Sequence, residues 1–374
     1  MTRTTRRRFL RTAGFGLSAA ALAPIREVGA RTAKQTTPAP AIVDWHAHWV
    51  GPHVVELLGA RDAPRPPQGA GWFDIDARLR DMDANNVRRQ VLAWVGGAFD
   101  GALRPAEARP LWRAQNDDLA ALVRKHPARF SALASLPTAN VAWAAEELRR
   151  AHGELGLIGA VLPLDAFVSL AGARALAPIF EVAQQHRGHI FVHRGAAGAD
   201  VPGQQPETGA VNPYFGLPAA GAARGQAPQG DNVSARTLLA TATHLASGVI
   251  TLAFTDFLDA YPDVTVQVAM MGGAISYVTE HVQMAAEEGG SPLPANQLKK
   301  VYLDTGQSGR APRGIALAAR VFGADRILFG TDSGPVATIG PTIASVKRAE
   351  ISDAEKALIF SGNARRLLSS RGIT

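Results

Sequence analysis

What most constrains the fold of this chain is a rhythm. Short apolar, β-branched runs alternate with longer amphipathic segments along almost its whole length. Eight runs read as strands: 41–48, 89–95, 130–136, 157–164, 189–194, 264–271, 301–305 and 326–332. Many are apolar on both faces, as parallel strands buried between layers require. Helical patterns fall between them at 106–126, 139–152, 170–187, 235–261 and 312–322. Eight strand–helix units predict an α/β protein built as a (β/α)8 TIM barrel. A doubly wound sheet would alternate in the same way, but no Gly-x-Gly-x-x-Gly turn follows an early strand. Segment 195–234, rich in Gly, Pro, Ala and Gln, breaks the rhythm after the fifth strand and reads as a lid or substrate loop over the barrel mouth.

The first forty residues do not belong to this pattern. Residues 5–11 read Thr-Arg-Arg-Arg-Phe-Leu-Arg, a small apolar run follows over 12–25, and Val28-Gly29-Ala30 puts small residues where a signal peptidase cuts. Paired arginines before Phe-Leu resemble a twin-arginine address. The expected organisation is a cleaved signal peptide over 1–30, a linker over 31–40, and a single domain over 41–370. Its expected partner is the twin-arginine export machinery, and its destination the periplasm. The charge fits this division. The chain carries a net +7, but residues 1–30 hold six Arg and one Glu, which leaves +2 for the rest. A nucleic-acid partner is therefore not expected. The absence of Cys excludes a disulfide scaffold, a thiolate metal site and a cysteine nucleophile. No later stretch reaches ~18 uninterrupted apolar residues.

Polar groups collect at strand ends. In Asp44-Trp45-His46-Ala47-His48 the two histidines are two apart, so a strand projects both to one face. At the C-terminal end of a barrel strand that face looks into the mouth. Two neutral imidazoles side by side can chelate a borderline metal ion. On its own the pair reads as two buried histidines satisfied by carbonyls. The fifth strand, however, also ends in a histidine, His193, and the eighth in a carboxylate, Asp332. Burying any of these alone is costly; three imidazoles and one carboxylate at one mouth satisfy one another by sharing a cation. The remaining histidines weigh less: His53 reads first as a loop residue and second as a substrate contact, His126, His152, His186 and His189 are caps or surface groups, and His244 and His281 lie in helical segments, structural unless one leans into the mouth as a base.

On these residues the chain resembles the amidohydrolase superfamily. It is most similar to the amidohydrolase-related branch that contains aminocarboxymuconate-semialdehyde decarboxylase, resorcylate-type decarboxylases and some lactone hydrolases. Matching segments run from about 42 to 368. They include 44–48, Leu79-Arg80-Asp81-Met82-Asp83, His126-Pro127-Ala128-Arg129-Phe130, 191–193, the run 323–332, and Gly362-Asn363-Ala364-Arg365-Arg366-Leu367. The resemblance implies a distorted barrel with one divalent metal, zinc first and manganese second. It makes His46, His48, His193 and Asp332 the ligands, with Asp332 also a proton shuttle, and it is compatible with a homodimer.

One departure matters. The family usually shows His-x-Gly-Gly after the sixth strand, whereas here Met270-Met271-Gly272-Gly273 stands. A thioether carries no proton. The expected function is a metal-dependent decarboxylase or hydrolase acting on a small carboxylated or carbonyl-bearing molecule, with Asp332 as the catalytic group. Arg194 would pair with a substrate carboxylate, and Trp49 and Tyr214 would line an aromatic pocket. The alternative, motivated by Met270, is a catalytically lapsed periplasmic ligand-binding barrel.

Overall fold

The computed structural model describes residues 41–59, 70–95, 105–195, 197–198, 201–202, 232–290, 293, 297–334 and 338–373. The expected signal peptide and linker, and Tyr214, lie outside the described residues. Among the described residues nine strands form: β1 (Ile42–His48), β2 (Val87–Ala93), β3 (Phe130–Ala132), β4 (Ala134–Ser135), β5 (Gly159–Pro163), β6 (His189–His193), β7 (Thr265–Val268), β8 (Val301–Asp304) and β9 (Ile327–Leu328). All their pairings are parallel, in two runs ordered β1-β2-β3 and β4-β5-β6-β7-β8-β9. The last strand returns to the first. Trp45 N donates to Phe329 O at 2.7 Å and His48 N to Ser333 O at 2.6 Å, and Ala47 bridges Ser333. The result is the expected barrel.

The seam between the two runs explains why nine strands appear for eight runs. Sequence reads 130–136 as one strand, but it changes partners at Leu133: β3 pairs with β2, and β4 pairs with β5. The Asn116 side chain, from the helix Pro105–Lys125, takes over the ladder here. It accepts from Ser135 N at 2.8 Å and donates to Ser135 O at 2.9 Å. A second difference lies at 170–187, which reads as one helix and forms two, Leu170–Ala175 and Ala177–Gln185. Pro178 has no N–H to continue the first helix and suits the opening turn of the second. Likewise 235–261 forms the helix Val233–Ala253 and a separate short turn, Phe257–Ala260.

Every residue of β1, β5 and β6 is buried, which is why these runs lack the polar alternation of half-exposed strands. Side-chain caps define several helix starts: Asp74 accepts from Ala77 N, Asn140 from Trp143 N, and Ser352 with Glu355 closes a capping box. Among the described residues no helix is long and apolar enough to cross a membrane.

Candidate metal centre

The barrel brings His46, His48, His193 and Asp332 together: one ligand atom from each lies within 4.8 Å of all the others, and all four residues are buried. β1 supplies the first two. Their Nε2 atoms lie 3.2 Å apart, with the rings edge to face. Asp332 Oδ1 stands 2.9 Å from His48 Nε2 and 3.4 Å from His46 Nε2. Each imidazole engages its other nitrogen elsewhere. His46 Nδ1 meets Asp304 Oδ1 at 2.9 Å, His48 Nδ1 meets Ala93 O at 3.2 Å, and His193 Nδ1 meets Arg194 O at 3.0 Å. Acceptors on Nδ1 leave the Nε2 lone pairs of His48 and His193 turned inward. Among the described residues His193 Nε2 is buried with no hydrogen-bond partner. An orphaned imidazole nitrogen beside two more and a carboxylate is the donor set of a divalent cation, with three nitrogens and one oxygen. The residues fit one metal ion.

Electrostatics agree. Burial resists a charge on His46, yet the Asp304 and Asp332 carboxylates outweigh it and hold the imidazole up at about 10. Burial works against Asp332, but His46 and His48 hold its carboxyl far below the usual range. Burial, with His48 and His46 alongside, pushes His193 down to about 3.

The supporting residues were not evident in sequence. Asp44 is fully buried and accepts four hydrogen bonds: from Thr331 N (3.0 Å) and Oγ1 (2.6 Å), from Gln90 Nε2 (2.8 Å), and from His46 N (3.2 Å). It thereby ties the strand bearing His46 to the segment bearing Asp332, and burial raises its pKa. Arg78 Nη2 donates to His48 O at 2.5 Å. Asp304, at the end of β8, carries the same signal that picked out Asp332: an apolar run closing on a carboxylate. His189 is not a surface or cap residue. It opens β6 fully buried, receives the Trp45 indole N–H at 2.9 Å, and meets Thr265 Oγ1 at 2.8 Å. Desolvation, with Arg371 nearby, lowers it to about 3.

Beside His193 opens a narrow cleft whose walls include Trp94, Trp112, Leu136, Leu162 and Arg194. Arg194 is exposed at its edge. Trp49 is instead 5% exposed within the core, its carbonyl accepting from Gln115, and is not among the cavity walls. The aromatic walls are Trp94 and Trp112, 4.9 Å apart, while Trp72 stacks on His48. Met270 opens a turn in which residues 270–273 all have positive φ, and its side chain is buried in the core. His53 pairs with Asp118 at 2.5 Å and is largely exposed; His244 faces Asp165 at 3.3 Å.

Comparison with known proteins follows the same outline. Residues 43–369 match the family model Amidohydro_2, described as amidohydrolase. A gamma-resorcylate decarboxylase from a Rhizobium species is 26% identical over 315 residues, covering 79% of this chain and 88% of the relative. A 2-amino-3-carboxymuconate-6-semialdehyde decarboxylase from Dictyostelium discoideum is 32% identical over 121 residues, 32% of this chain; the match spans only 34% of that relative's length. Among solved structures, a dihydroxybenzoic acid decarboxylase from a Polaromonas species, with bound manganese and the inhibitor 2-nitroresorcinol, superposes with a TM-score of 0.67. At 23% identity, over 88% of this chain and 97% of that one, this likeness is one of fold. The family match runs from the second residue of β1 to the end of the helix Asn363–Ser369, and on that extent this chain belongs to the amidohydrolase family.

Proposed function

We propose that this protein is a metal-dependent decarboxylase acting on a small carboxylic acid with an apolar, aromatic body. The observation that carries the reading is the four-residue donor set, with His193 Nε2 buried and, among the described residues, unpartnered. The decarboxylase relative that aligns over most of its length favours loss of carbon dioxide over hydrolysis. His46, His48, His193 and Asp332 would hold one divalent cation, manganese or zinc, which when bound supplies positive charge to grip the substrate carboxylate and stabilise charge developing next to it. The Trp94 and Trp112 walls accept the apolar body, and Arg194 at the cavity edge pairs with an anionic group. The proton that replaces the carboxylate is the one that the substrate acid brings with it. It passes to an Asp332 oxygen and is delivered to carbon as the bond to the carboxylate breaks. The electron pair of that bond takes the proton, and carbon dioxide leaves. Met270 offers no competing proton carrier.

The test is turnover of metal-loaded protein on carboxylated phenols and lactones in deuterated water. The expected result is carbon dioxide release with one deuterium at the vacated carbon. Lactone opening without carbon dioxide would replace this reading with hydrolysis. Cation bound without turnover, or activity gained only on Met270→His, would favour a ligand-binding barrel. Residues 1–30 are proposed as a twin-arginine address to the periplasm, because they join a basic Arg-Arg-Arg-Phe-Leu stretch to a short apolar run.

A further inference from the structure

We propose that Asp304 is a positioning residue for the metal centre: it aims His46 at the cation and, with the same carboxylate, holds the Met270 turn at the site's edge. The proposal rests on the metal-centre reading above. Asp304 is fully buried. A carboxylate is tolerated there only where donors satisfy it, and four do. Its Oδ1 lies 2.9 Å from His46 Nδ1 and accepts from Met270 N at 3.1 Å and Gly306 N at 2.7 Å. Its Oδ2 accepts from Gln267 Nε2 at 2.5 Å. β8 therefore contributes no ligand of its own but fixes one from β1, across a sequence separation of 258 residues. Anchoring the far nitrogen of a ligating imidazole sets its tautomer and ring angle and leaves Nε2 free to bind.

The space around this contact is built for it. A Cβ on Gly306 would fall 2.7 Å from both Asp304 Oδ1 and His46 Nδ1, and a Cβ on Gly330 would fall 2.6 Å from His46 Cβ and 3.2 Å from Asp304 Oδ1. Two glycines thus leave room for one imidazole–carboxylate pair. Met270, whose N–H the same oxygen accepts, has φ 52°, a conformation that needs outside support in a non-glycine residue.

The test compares wild type with Asp304→Asn, Asp304→Ala and Gly306→Ala, the last disturbing the contact while keeping both side chains. Manganese and zinc affinities are measured by competition, the cobalt-loaded absorption spectrum is recorded, and metal-free melting controls for folding. The expected result is affinity about 10- to 100-fold weaker in all three variants, with an altered cobalt spectrum in variants whose metal-free melting, though lowered by the broken contact, still shows a folded domain at the assay temperature. Wild-type affinity and spectrum in Asp304→Asn and Gly306→Ala would overturn the proposal. If the variants do not fold, the zinc-loaded wild type decides by nitrogen NMR. A proton on His46 Nδ1, shifted downfield by a carboxylate, supports it, and zinc bound through Nδ1 overturns it. None of these measurements needs a substrate, so failure of the decarboxylase reading leaves them intact. A wild type that binds no cation would sink the metal reading and this proposal together.

Discussion

Asp332 sits at φ 57°, where an aspartate is seldom found, and the residues around it explain how it stays there. Asp332 N and Thr331 N both donate to His46 O, at 2.8 and 3.1 Å, and Asp44 clamps Thr331 by backbone and hydroxyl. Strain held by such a network is usual where a side chain must be aimed. Replacing Asp332 with Asn keeps the shape but removes the charge and the proton site. The expected loss in kcat is about 10²- to 10⁴-fold, with weaker metal retention, as steady-state kinetics and metal analysis would register; undiminished turnover would exclude it as proton carrier. His46 yields a sharper prediction. In the metal-free protein Asp304 and Asp332 keep it protonated up to about 10, so a cation must displace that proton. Near neutral pH, binding should release close to one proton, and affinity should rise about tenfold per pH unit. Calorimetry in buffers of different ionisation enthalpy reads the proton count directly, and a count of zero contradicts the assignment. The sign for stability is opposite. His46 is raised above its unfolded value of 6.5, so its contribution to the metal-free fold is complete below 6.5 and is lost as pH climbs through about 10.

At the scale of elements, His189 ties β6 to Trp45 of β1 and to Thr265 of β7, and its buried ring should make the barrel acid-sensitive. Its folded pKa of about 3 lies below the unfolded 6.5. Stability present above 6.5 should therefore decline as pH falls towards 3, at up to ~1.4 kcal/mol per unit from this one group. His189→Gln retains hydrogen-bonding capacity towards Trp45 and Thr265 but cannot titrate. Denaturant melts between pH 4 and 7 should show a shallower acid slope in the variant, and an unchanged slope would assign the acid sensitivity to other residues. The same residue marks the limit of reading elements from sequence. Buried apolar runs announce the strands, and a His or Asp closing such a run is visible in one dimension, which is how His46, His48, His193 and Asp332 could be picked out. Partnership is not visible in this way. His189 follows Gly188 at a helix exit and looks like a flank residue until Trp45 is packed against it. Asp304 closes its run as Asp332 does, yet nothing local tells that one faces the inside of the cage and the other the back of a ligand. Asn116 gives no sign within its helix that it will interrupt the third barrel strand at Ser135.

For the whole molecule, what matters is that the centre exists only in the closed barrel. Asp44 and Thr331, which hold its two halves in register, are 287 residues apart, and β1 meets the segment after β9 only when the cylinder shuts. An unfolded chain offers scattered histidines and no cage, so selective loading of the cation requires the folded domain. A secretion route that threads unfolded chains would defer loading to the periplasm, where the tightest-binding available metal competes. A twin-arginine route carries the domain folded, with its cation chosen beforehand. Replacing Arg6 and Arg7 with Lys should therefore leave the barrel folded and metal-loaded but retain it in the cytoplasm, as fractionation with metal analysis of each fraction would reveal. Periplasmic protein at wild-type level in that variant would remove the twin-arginine assignment while leaving the metal centre untouched. The domain without residues 1–30 should also ignore DNA at low salt, since most of the excess positive charge resides in those thirty residues. Salt-sensitive retention by that shortened domain would mean that its charge is concentrated on one face, contrary to the near balance of its composition.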